Sequence, residues 1–161
     1  MRRSAPNGLG ALLRSECGVG AVELALVAPV LAFLLMGITD VAQGFSRKFS
    51  LEQAAYRALE RAGAGSVKSD YSYLRTEAAT AAGVPESAVT VETWLECDSV
   101  KQPAFDGQCT AEGAMVSRYV RVSVASKFRP NFNYGVFNQR IFDMSADGTV
   151  AIAGSAALRL Q

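Results

Sequence analysis

Few side chains in this sequence could do chemistry, and one absence narrows them further. The 161-residue chain has no histidine, which excludes a catalytic histidine and a histidine-rich metal site. Of its three cysteines, Cys97 and Cys109 flank the segment DSVKQPAFDGQ. Outside the cytoplasm such a pair oxidises to a disulfide. The alternatives are two unpaired thiols, or half of a metal site with no further outer cysteine to complete it. Cys17 stands apart in an N-terminal basic leader and reads as a free cytoplasmic thiol. Asp98, Asp106, Asp143 and Asp147 could meet as an acid pair or a metal site. They lack the regular spacing of a calcium loop and read as solvated loop carboxylates. No G-x-S-x-G elbow or phosphate-binding glycine loop occurs. The chain therefore reads as a non-enzyme, with no catalytic residue, metal or cofactor. A formal net charge of +1 with no basic tract gives no ground for a nucleic-acid partner.

Glu23 matters because of where it stands. Leu24 to Ile38 contains no polar side chain, and Val19 to Val22 extends the apolar run beyond Glu23. From Val19 to Ile38 is 20 residues. As a helix this spans roughly 30 Å, the thickness of a bilayer core. Arg2, Arg3 and Arg14 precede it, against one acid, Glu16, which predicts a cytoplasmic N-terminus and an outer remainder. A carboxylate inside such a helix is costly to desolvate. Either it sits at the interface, or it has a partner. A conventional signal peptide, cleaved after Gly44 at Ala42-Gln43-Gly44, is a further alternative.

The elements that position these residues follow from periodicity. Phe45, Phe49, Gln53 and Arg57 recur at four-residue spacing, while Phe49, Ala54, Ala55, Ala58 and Leu59 can form an apolar stripe. The membrane helix can therefore continue as a spine to about Ala62, with Gly44 and the Gly63–Gly65 pair as candidate breaks. Pro29 removes a helix hydrogen bond, which predicts a kink or local melting there. A second helix is expected from about Asp70 to Ala82, capped by Ser69 or Asp70 and ended by Gly83 before Pro85. Strands follow at Val89–Glu96, Arg118–Phe128 and Thr149–Leu160, with Gly154 as a candidate bulge. Pro103, Ala104 and Phe105 expose apolar area at the tip of the cysteine loop. Trp94, Tyr119, Phe132, Tyr134 and Phe137 could form a ligand or glycan surface; the favoured reading is that alternate aromatics pack the sheet on the spine, with Phe132, Tyr134 and Phe137 as the exceptions. Phe132, Tyr134 and Phe137 fall in a turn-rich loop. The expected fold is α+β: a long N-terminal membrane-spanning helix, continuing as a spine, packed against a small antiparallel sheet. The expected divisions are a leader at 1–18, a transmembrane helix at 19–40, its outer extension at 41–65 and an outer α+β domain at 66–161.

The N-terminus resembles type IV prepilins at Gly18-Val19-Gly20-Ala21-Val22-Glu23-Leu24. More narrowly, the run from Arg14 to Leu31, with its basic leader, G-x-x-x-x-E and Ala25-Leu26-Val27-Ala28-Pro29, resembles the TadE-like proteins. These are pseudopilins or minor pilins of the tight-adherence (Flp, type IVc) pilus. The resemblance implies cleavage after Gly18 by a prepilin peptidase, a mature and methylated amine at Val19, and Glu23 as fifth residue of the mature chain. In related pilins that glutamate pairs with a neighbour's amine and sets register. Cys17 departs from the usual residue before the glycine. The implied protein is a single-pass inner-membrane pilus-assembly subunit with a periplasmic domain. Its partners are other pilins, tight-adherence assembly proteins, the peptidase and the bilayer. Removing residues 1–18 takes three arginines and one glutamate from 16 basic and 15 acidic side chains, leaving 13 and 14. That near-neutral balance suits close subunit packing. An uncleaved bitopic scaffold or sensor, and a conventionally secreted binding protein, are the competing readings.

Overall fold

The computed structural model describes residues 17–64, 70–132 and 144–160. Two compact units, Met1–Thr39 and Asp40–Gln161, are each described by themselves.

Helix α1 runs unbroken from Cys17 to Gly63. It passes through Pro29 and Gly44, so the proline does not melt it and the glycine does not stop it. In the first unit its large side chains from Val22 to Ile38 are exposed all round. It is long and apolar enough to cross a membrane. A helix apolar on every face is stable only when lipid or protein covers it.

In the second unit α1 packs on a four-stranded antiparallel sheet, giving an α+β fold as the periodicity predicts. The strands are β1 (Val89–Cys97), β2 (Val100–Gln102), β3 (Val116–Phe128) and β4 (Val150–Arg159), in the order β2-β1-β3-β4. Leu51, Ala54, Ala55, Ala58, Leu59 and Ala62 form the buried stripe of α1. They share one core with Val89, Val120, Val122, Val124 and Ala156. Helix α2 (Tyr73–Ala82) closes the same core through Leu74, Ala78, Ala79 and Ala82. Gly83, at φ 64°, ends it, and the Val84 N–H returns to the Ala79 carbonyl before Pro85. The expected cap differs. Helix α2 starts three residues after Asp70, and the Asp70 carboxylate accepts from the Ser72 N–H and hydroxyl instead. Those two bonds hold its carboxyl below the usual carboxylate range. Ser69 lies outside the described residues.

Gly154 is not a bulge. It pairs in register with Val124, and the ladder continues evenly on both sides. A Cβ there would lie 2.6 Å from the Leu51 carbonyl carbon and closer still to the Glu52 nitrogen. Glycine is needed because helix backbone crosses strand backbone at this point. Contacts elsewhere give the alignment. Gly44 faces Phe128, whose partner is Val150, and Gly63 faces Leu158. The helix therefore advances along β4 in the same direction as the strand.

Candidate functional site

The cysteine loop is closed by a Cys97–Cys109 disulfide. Inside it lies β2, which periodicity did not reveal. Asp98 and Ser99, at φ 50° and 68°, make the tight turn from β1 into it. The Asp98 carboxylate is structural, accepting the Met115 N–H at 2.8 Å. The loop returns onto the domain: Arg118 donates to the carbonyls of Phe105 (3.3 Å) and Gly107 (3.1 Å). Phe105 is not an exposed tip residue, since its ring meets Tyr71 edge-on at 6.0 Å. With both cysteines replaced by serine, we expect a loss of about 3 kcal/mol from loop-closure entropy, read as a lowered denaturant midpoint. A midpoint unchanged by reduction would mean that the Arg118 and Phe105 contacts hold the loop alone.

Trp94 and Tyr119 do not pack on the spine. They stack on each other, centroids 5.2 Å apart, on the sheet face opposite α1. Lys101 and Arg121 cover the indole at about 5 Å. Its N–H donates to Glu96. The tryptophan is 8 % exposed, so this cluster is a closed stack and not an open ligand face.

At the β3–β4 end, Asp147 accepts from the Thr149 hydroxyl (2.6 Å) and N–H (3.1 Å) and from Lys127 (2.9 Å). These bonds hold its carboxyl well below the usual range. A carboxyl depressed by folding stabilises the fold above its ordinary value near 3.8, and that stability is lost as pH falls further. We expect the Thr149 amide resonance to stay constant from neutral pH to below that value. A titration midpoint at the ordinary value would contradict the three bonds. Asp143, Tyr134 and Phe137 lie outside the described residues. Among those described, no group of three His, Cys, Asp or Glu could hold a metal.

The residues of the expected processing site lie at the start of α1. Gly18 and Val19 are within its first turn, and Glu23 follows as an exposed residue one turn later. Further along, α1 carries a second apolar face turned away from its own core. Phe45, Phe49 and Tyr56 are 56 %, 57 % and 58 % exposed, and the two phenylalanine rings lie 6.4 Å apart. A shallow groove on this face is lined by Ala42, Phe45, Ser46, Phe49, Ser50 and Gln53. Successive helical residues turn by about 100°, which sets the face of Phe45, Phe49 and Tyr56 roughly 130° round the helix from that of Leu51, Ala55 and Ala58.

One carboxylate that sequence reasoning did not single out is Asp40. It is 5 % exposed and accepts from the Asn131 N–H (2.9 Å), the Asn131 amide (3.0 Å) and the Phe132 N–H (3.1 Å). Its partners are about 90 positions away in the chain, and no local pattern signals them.

Residues 18–59 match the family model described as TadE-like protein. No curated protein and no solved structure matches the chain.

Proposed function

We propose, from the premise that the chain carries a TadE-like family domain at residues 18–59, that it is a minor pilin or pseudopilin of a tight-adherence (type IVc) pilus. It inserts by α1 with the N-terminus cytoplasmic and the Asp40–Gln161 unit periplasmic. A prepilin peptidase cuts after Gly18, and the subunit joins other pilins by helix bundling without catalysing a reaction.

The observation that carries this reading is the double-faced helix. One face of α1 is spent on its own domain, and the other exposes Phe45, Phe49 and Tyr56 beyond a segment apolar all round. Such a surface fits packing against further helices, with side-chain knobs entering the groove between the two phenylalanines. Glu23 then supplies polarity at the cytoplasmic end, where a neighbouring subunit's Val19 amine is the matching charge. In a low-dielectric bundle this pairing also fixes axial register.

The test is the N-terminal mass of protein recovered from native membranes or sheared filaments. A chain beginning at Val19, and methylated there, is the expected result. An intact leader on the functional protein would overturn the processed-pilin reading in favour of an uncleaved bitopic scaffold.

A further inference from the structure

Asp40 is the first charged residue after the apolar run that begins at Leu24. A carboxylate facing hydrocarbon at that level would be costly. The domain meets the cost by bringing the segment Arg129–Phe132 to it. Two backbone N–H groups and one side-chain amide converge on the carboxylate, which is consequently buried. The Asn131 amide also donates to Gln43, 3.0 Å away and one turn further along. Segment 129–132 is thus fastened to α1 at the residue where apolar sequence gives way to polar. Despite that fastening, Phe132 remains 36 % exposed.

We propose that this fastened segment is a contact with the phospholipid surface: Phe132 enters the boundary between headgroups and acyl chains, and Arg129 and Arg47 meet lipid phosphates. The inference rests on the membrane-spanning reading of α1 above. Three observations select lipid as the occupant. The segment is continuous, through Asp40, with the end of the apolar helix run. An apolar aromatic side chain such as Phe132 suits the boundary between headgroups and acyl chains. The charge is also right. Arg129, just past the end of β3, is exposed while donating from Nη2 to the Asp147 carbonyl (3.0 Å), and Arg47 lies two turns past Asp40 on α1, about 10 Å along the axis. Long arginine side chains snorkel back toward the phosphate level while keeping their stems on apolar surface. This also gives a reason for Arg47 and Lys48 on the outer side of the helix, where a positive-inside count alone would disfavour them.

The experiment places p-benzoylphenylalanine singly at positions 132, 30 and 100 of the full chain, reconstituted in phosphatidylethanolamine–phosphatidylglycerol bilayers. After irradiation, intact mass reads the phospholipid adduct. Position 30 lies within the apolar run, and position 100 lies on β2 at the opposite end of the sheet. We expect an adduct at 30 and 132 and none at 100. An adduct at 30 with none at 132 overturns the lipid contact and leaves the spanning helix intact. No adduct at 30 overturns the spanning helix itself. In the position-132 chain, Asp40→Ala is expected to reduce the adduct several-fold. Asn131→Ala removes only the side-chain amide and leaves Asp40 in place, so it is expected to reduce the adduct less. An undiminished adduct in both overturns the anchoring role of Asp40.

Discussion

Gly154→Ala is expected to destabilise the Asp40–Gln161 unit by about 3 kcal/mol, the upper end of the cost of overpacking a core. The added methyl would fall on the backbone of Leu51 and Glu52, and neither can rotate away as a flexible side chain would. Relief requires the helix to lift from β4, which loosens Leu51, Val124 and Ala156 together because they share one core. Ser155→Ala is the control. Its side chain is exposed on the other face of the sheet, and it should lie within about 0.5 kcal/mol of wild type. Denaturant unfolding of the full chain in detergent, followed by Trp94 fluorescence, separates the two. If Gly154→Ala unfolds at the wild-type midpoint, the close helix–strand crossing is wrong.

The second large effect is on assembly. Glu23→Ala is expected to leave membrane insertion intact and to remove the protein from sheared filaments. In the proposed assembly, replacing Glu23 would leave a neighbour's Val19 amine buried without its counter-charge. Losing one member of a buried pair costs about 3–5 kcal/mol, which is roughly a hundred- to several-thousandfold in association. Glu23→Gln should behave similarly, because it keeps the shape and removes the charge. The ratio of filament to membrane protein, read by quantitative blotting, checks this. Wild-type incorporation of both variants would show that Glu23 is an interfacial residue without a partner.

Legibility followed the range of the interactions. Val120, Val122 and Val124 alternate with polar neighbours, so β3 is visible from local spacing, and Gly83 before Pro85 marks the end of α2 as plainly. The strand β2 is only three residues long and carries no period. Its turn uses Asp98-Ser99 where an Asn-Gly pair would have announced a hairpin. Gly154 was ambiguous in principle, since a strand glycine serves a bulge or a close approach equally well. Only the arrival of Leu51 decides between them. Trp94 and Tyr119 occupy positions whose alternation is clear, yet alternation does not say which face looks at the helix. At the candidate site, the G-x-x-x-x-E spacing of Gly18 and Glu23 is local and readable. Asp40 is not, because its meaning lies in a loop about 90 residues away.

The alignment of α1 with β4 has a mechanical consequence. Three contacts, Gly44 with Phe128 of β3, Leu51 with Gly154 and Gly63 with Leu158 of β4, lay the helix along the β3–β4 pair in the direction of β4. A pull along the helix axis therefore loads the ten-residue β3–β4 ladder in shear, with its hydrogen bonds resisting together. Peeling from one end would instead break them one at a time. Tension borne by the helix is spread over the register from Val150–Phe128 to Arg159–Tyr119, so the small sheet acts as a splice on the helix as well as a cover for it.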